Sequence, residues 1–168
     1  MVELRGVDDL YPLSGAVELT GPAGRPVGIA QALRPQGGLP AAAVEQGLLD
    51  RTGLGLGEPF TIGNARFVAT AVLVAEPDRL TRGFSLGPRV MVRREAFASA
   101  RFVGGPGFYG ETARLALKPG LEPKPAIAAL RRALPKSSFE MRDRADVAPG
   151  VRRLIDQLEY FLGFIGLA

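Results

Sequence analysis

The chain has 168 residues, 22 of them glycine and 14 proline, with 46% apolar residues and a formal charge of +4. It contains no cysteine, histidine or tryptophan, which excludes disulfides, thiolate nucleophiles, Ser-His-Asp triads and zinc sites built from sulfur and imidazole. That length suits one domain or two small lobes, and the composition favours a binding or mechanical module over a hydrolase.

Residues 2–7 alternate apolar and polar side chains, the period of a strand. Asp8-Asp9 and Tyr11-Pro12-Leu13 end it, and Ala16 to Thr20 predicts a second, short strand. Residues 21–38 are rich in glycine and proline and read as loop. Pro40 to Thr52 predicts a helix, with Ala43, Val44, Gly47, Leu48 and Leu49 on its stripe, Pro40 in its first turn and Gly53 as its C-terminal cap. Phe60 to Ile62 and Arg66 to Ala75 predict a hairpin around Gly63-Asn64, two residues tolerant of positive φ. Arg89 to Val92 follows as a strand and Arg94 to Ala100 as a short helix. Then come a strand over Glu111 to Leu117, a helix over Pro123 to Leu134 and a strand over Phe139 to Arg142. The helix carries Ala126, Ile127, Leu130 and Ala133 on one face. Strand, helix, strand is a βαβ-like unit, and the mixture of elements places the chain in the α+β class.

The tail carries the strongest pattern. From Val151 the apolar positions 151, 154, 155, 158, 161, 162 and 165 form a helical stripe, and residues 160–168 contain no charged side chain at all. A helix apolar all round is buried or in a membrane, and nine residues are too few for the ~20 a bilayer needs. Two readings stand: a helix docked in the core, or a transmembrane helix that has just begun, with Arg152 and Arg153 outside the hydrocarbon and Tyr160 at its interface. At the other end, Met1-Val2-Glu3-Leu4-Arg5 lacks the pattern of a signal peptide.

The charge is uneven. The first hundred residues carry ten basic and ten acidic side chains, so the whole excess lies in residues 101–168. It includes Arg131, Arg132, Lys136, Arg142, Arg144, Arg152 and Arg153, with few aromatics among them to stack on bases. Nucleic acid is therefore not the expected partner. A solvated positive face, or one beside anionic lipid headgroups, suits these arginines better.

Four motifs invite chemistry. Gly53-Leu54-Gly55-Leu56-Gly57 fits neither the dinucleotide fingerprint nor the P-loop and reads as a helix cap leading into a strand. Glu76-Pro77-Asp78-Arg79 sets two carboxylates beside an arginine, but the proline favours a turn over acid–base work. Asp8-Asp9 is at most half of a hard-cation site and better suits a turn or an edge. Ser85, within Gly83 to Arg89, has no histidine to activate it. Gly104 to Tyr109 reads as a flexible connection between lobes. No catalytic, cofactor-binding or metal-binding residue is assigned.

Three blocks in order carry a family resemblance: LRGVDDLYPL from Leu4, EPDRLTRGFSLGPRVMV from Glu76, and RDRADVAPGVRRLIDQLEYFLGFIGLA from Arg142. Together with LLDRTGLGLGEPFTIG from Leu48, they resemble the large extracytoplasmic domain of YbbP-like permeases, within the FtsX/MacB-type ABC transporter permeases. The resemblance implies a MacB-like periplasmic core: a porter-like strand segment over 1–19, a β-rich, sabre-like inserted lobe over 20–103, a porter-like βαβ unit over 104–147, and a stalk helix entering the membrane over 148–168. A full permease also has a first membrane helix and a first porter half, so the chain is expected to be a fragment. The resemblance implies a non-catalytic module without cofactor, on the periplasmic side of a bacterial inner membrane. Its implied partners are a cytoplasmic ABC ATPase subunit, a second permease copy, and a periplasmic protein or lipid. Two rival readings remain: a stand-alone module binding an apolar ligand or a protein, which predicts a deep apolar pocket, and an enzyme working through Glu76 or Asp78.

Overall fold

A computed structural model describes residues 1–77, 87–99 and 110–143. The chain divides into two compact units, Met1–Arg114 and Leu115–Ala168.

The first unit is built on a mixed six-stranded sheet. Its strands are β1 (Glu3–Val7), β2 (Glu18–Thr20), β3 (Ala41–Glu45), β4 (Pro59–Ile62), β5 (Ala65–Ala75) and β6 (Arg89–Arg93). The helices are α1 (Ile29–Ala32), α2 (Gln46–Thr52) and α3 (Arg94–Ser99). The order across the sheet is β1-β6-β3-β5-β2, with β4 also paired to β5. β1 runs parallel to β6, and β3 parallel to β5. The remaining pairs, β3 with β6 and β5 with β2 and β4, are antiparallel. The sheet thus joins β1, from the segment 1–19, directly to a strand from the segment 20–103. The α+β class is as the sequence pattern implies.

The helix expected over Pro40 to Thr52 is corrected. Ala41 to Glu45 is the central strand β3, and only Gln46–Thr52 is helical. A run of three alanines and a valine favours helix locally. Here all four are buried, because β3 lies between β6 and β5 with both faces of the sheet covered. A strand buried on both faces loses its alternation and reads as a continuous apolar run. The predicted cap holds at the other end: Gly53 sits at φ 67°, and its N–H donates to the Leu49 carbonyl at 2.8 Å. The hairpin is formed by β4 and β5 as the turn residues suggest.

Two apolar clusters flank the sheet. Val7, Leu33, Ala43, Leu73 and Met91 belong to one, with α1 adding Ala32. Val44, Leu48, Phe67, Val90 and Val92 belong to the other, where Phe97 of α3 also packs. Along β5, Phe67 and Ala69 join the second cluster while Ala71 and Leu73 join the first, although all four are odd-numbered. The cause is a bulge. Ala42 pairs with Ala69 and Ala43 with Ala71, so Thr70 is the extra residue, and the parity of the strand reverses across it. The Thr70 hydroxyl is buried 2.5 Å from the Ala32 carbonyl oxygen and 3.0 Å from that of Ala42. Its single proton is thus shared between the Ala42 carbonyl at the disrupted ladder and the Ala32 carbonyl at the end of α1. One long strand can in this way supply apolar side chains to both layers.

The second unit, over its described residues, contains α4 (Pro123–Ala133). The strands expected over Glu111 to Leu117 and Phe139 to Arg142 are not formed: both stretches are irregular. Of the expected βαβ unit, only the helix is present among the described residues. Alternation marks which side chains could share a face, but a strand needs a neighbouring ladder to become one. Lys118-Pro119-Gly120-Leu121 turns back on itself, with Gly120 at φ 85° and the Leu121 N–H donating to the Lys118 carbonyl at 3.1 Å. Among the described residues no helix is long and apolar enough to cross a membrane. The stripe beyond Val151, Arg144, Arg152, Arg153, Ser85 and the glycines of 104–107 lie outside the described residues.

Candidate functional site

Among the described residues of the first unit, a cluster of charged side chains lies at one end of the sheet. β3 stops at Glu45 to enter α2, while β5 runs on to Ala75 and delivers Glu76 just beyond it. β6 begins at this end with Arg89, and β1, parallel to β6, brings Glu3 and Arg5. The Glu76 side chain is 2% exposed and that of Arg89 5%.

Both carboxylate oxygens of Glu76 are engaged. Oε1 accepts from Arg5 Nη1 and from the Tyr11 hydroxyl at 2.7 Å, and Oε2 accepts from Arg89 Nη1 at 2.9 Å. Arg89 Nε donates to Glu3 Oε2 at 3.3 Å, and its backbone N–H donates to Glu45 Oε2 at 3.1 Å, where the β3 ladder has run out. The Arg5 guanidinium lies 4.7 Å from the centre of the Tyr11 ring, within cation–π range. Glu3 and Glu76 balance the side chains of Arg5 and Arg89, and Glu45, on the Arg89 amide, adds one further negative charge. Burial pulls the Arg89 pKa down, but the carboxylates of Glu3 and Glu76 more than offset this and hold it above its ordinary value. Its charge is therefore kept at any pH below the strongly alkaline range, and only above that would its contribution to stability be lost.

This arrangement is a clamp. It ties β1, β6 and the end of β5 together across the end of β3, and the Tyr11 hydroxyl pins the segment after β1 to the same carboxylate. A general base needs a lone pair turned toward its substrate, whereas the Glu76 oxygens face donors of the protein itself. Among the described residues, no buried side-chain nitrogen or oxygen lacks a hydrogen-bond partner.

Other residues singled out in the sequence fall elsewhere. Asp8 Oδ1 accepts from the Leu10 N–H at 3.1 Å, and Asp9 pairs with Arg93, a turn and an edge role. No acidic group among the described residues is arranged to hold a metal ion. The three glycines of Gly53 to Gly57 all spend their amides internally: Gly53 on Leu49, Gly55 on Glu58 Oε2 at 2.9 Å, and Gly57 on the Ala69 carbonyl at 2.6 Å. A phosphate cradle would need such amides turned outward. Asp78 lies outside the described residues. Arg131, Arg132 and Lys136 are exposed on or just after α4.

Sequence reasoning named Glu76 but missed its partners. A signal was present for two of them. Glu3 and Arg5 are two apart on a strand and so share a face, and Arg89 stands before three apolar residues, Val90 to Val92. The meeting of residues 5, 76 and 89 depends on strand order, which no local pattern specifies.

Two open grooves border the β2 edge. One, about 430 Å³, is lined by Val17, Leu19, Pro26, Val27 and Val74 among others. The next, about 590 Å³, adjoins it through Thr20 and Val74 and reaches Glu45 and Gly47. Both lie along the surface, in contrast to the deep apolar pocket that a ligand-binding module would predict. Compared with known proteins, the chain matches no family model, and no curated protein or solved structure is similar enough to count as a match.

Proposed function

We propose that this chain is a non-catalytic, extracytoplasmic module of an FtsX/MacB-type ABC transporter permease, and that it transmits movement without transforming a substrate. The support is the clamp at Glu76. Among the described residues, the most buried charged groups of the first unit are spent on each other, in a sheet whose strands run from residues 3 to 93. Rigidity is what a transmitting element requires, since displacement at one end must reappear at the other. In this reading, residues 148–168 form the stalk to the membrane, and the MacB-like division into sabre-like and porter-like lobes belongs to the whole permease. The ATPase would be a separate cytoplasmic subunit, with two permease copies in the assembly and a lipid or a periplasmic protein as the object handled.

The test uses the full-length permease with its ATPase in vesicles. Spin labels at Gln36, in the first unit, and Ser138, in the second, report one distance per nucleotide state. A shift between the ATP-bound and nucleotide-free states is expected; identical distances in both overturn the proposal. The coding sequence on either side of this chain gives an independent check, since the reading requires flanking apolar stretches of about 20 residues.

A further inference from the structure

We propose that the surface of residues 115–143 docks on a bilayer of anionic lipid. The inference stands apart from the transporter reading and uses none of it. Five of the nine large apolar residues exposed among the described positions fall in this short stretch: Leu115, Leu117, Leu121, Leu134 and Phe139. Phe139 is 63% exposed and Leu121 59%. Surface apolar residues scattered singly need no explanation, but a concentration marks an interaction site.

The same stretch is basic. Lys118, Lys124, Arg131, Arg132, Lys136 and Arg142 face three acidic residues, so it carries a net +3. Of those three, Glu140 is already paired with Arg142. The helix α4 sorts these characters onto two sides. Ala126, Ile127, Leu130 and Leu134 fall on one face, while Lys124, Arg131 and Arg132 occupy the flank and the back, all three exposed. None of the α4 residues is fully buried. A two-faced helix of low mean hydropathy, with basic residues on its polar side, is the pattern of a helix lying in a membrane interface.

The flanking turns extend that pattern. Before α4, the Lys118 to Leu121 turn sets a basic and an apolar side chain on one tip. After it, both the N–H and the hydroxyl of Ser137 donate to the Leu134 carbonyl, closing a tight turn that bears Lys136. Phe139 follows, an aromatic suited to the headgroup level. Charge decides among the occupants. A second copy would set +3 against +3, and a neutral apolar partner would leave that net +3 without a counterpart. An anionic bilayer matches both: headgroups for the lysines and arginines, acyl chains for Leu121, Leu134 and Phe139.

The experiment is co-sedimentation of the full chain with vesicles of phosphatidylcholine alone and of phosphatidylcholine and phosphatidylglycerol in equal parts. Binding is expected only to the second, weakening as salt is added. The double variant Arg131→Glu, Arg132→Glu is expected to weaken it about tenfold or more, and Phe139→Ala severalfold, with the urea midpoint of the chain unchanged. If the charge-reversed chain does not fold, the pair Lys124→Gln, Lys136→Gln gives the same reading. Equal binding to both vesicles, or binding indifferent to these substitutions, overturns the proposal. So does an absence of vesicle binding, whether the chain is then found to self-associate through Phe139 or to prefer an acidic protein.

Discussion

The first unit and the stretch 115–143 treat apolar side chains in opposite ways. Among the described residues, every buried apolar side chain belongs to Met1–Arg114, while residues 115–143 hold most of the exposed ones. Both have the composition to form elements. The difference is that the first unit closes a sheet and can cover both its faces, whereas 115–143 has one helix and no ladder. A helix or an extended segment buries its apolar face only against a second layer. Amphipathic pattern is thus a demand for a partner, met in the described residues of the first unit and unmet in 115–143.

The sharpest way to break this comparison is at the clamp. Glu76→Ala takes away the buried carboxylate that Arg5 and Arg89 share, and loss of about 3–5 kcal/mol is expected in urea unfolding of the first unit. A loss below ~1 kcal/mol would mean that water reaches the site and that the clamp does not hold the sheet.

Two phenylalanines test the contrast directly. Phe67 is fully buried between β5 and the second cluster, and Phe67→Ala is expected to cost about 3–5 kcal/mol. The same truncation at Phe139 is expected to stay within about 0.5 kcal/mol, as for an exposed position. Comparable losses at both would show that 115–143 is packed in solution.

Smaller effects follow at two tight points of the sheet. A Cβ on Gly6 would stand 2.8 Å from the Phe97 Cβ, so Gly6→Ala is expected to push α3 off β1 at a cost of about 1–3 kcal/mol. Thr70→Val keeps the shape of the bulge residue but removes its hydroxyl, and a loss of about 1–3 kcal/mol is expected. Thermal unfolding of either variant checks the value, and no loss for Thr70→Val would assign the Ala32 carbonyl another partner.

The gentlest probe is hydrogen exchange. Amides of β3, which has neighbours on both sides, are expected to be the slowest in the chain, and those of residues 115–121 among the fastest. Protection of 115–121 on adding anionic vesicles would carry the comparison over to the proposed membrane contact.

Much of the fold was legible locally. The β4–β5 hairpin follows from Gly63-Asn64, and the end of α2 from Gly53. Each depends on backbone freedom within a few residues. The misread elements fail for a common reason. Ala41 to Val44 prefers helix by itself, and 111–117 and 139–142 alternate as strands do. What each becomes is set by what lies beside it. The candidate site divides in the same way: Glu76 stood out in the sequence, but that it is consumed by Arg5, Tyr11 and Arg89 did not.

The sequence by itself determined the α+β class, the excess of positive charge in the last third, and the absence of sulfur and imidazole chemistry, because these depend on residue types and short spacings. Only the tertiary structure decided that β3 is a strand, that the bulge at Thr70 turns one strand toward two layers, and that the carboxylate of Glu76 is closed off. Those outcomes rest on pairings between residues tens of positions apart, such as 5 with 76 and 3 with 89. Burial and strand order create such pairings, and no local window of the chain contains them.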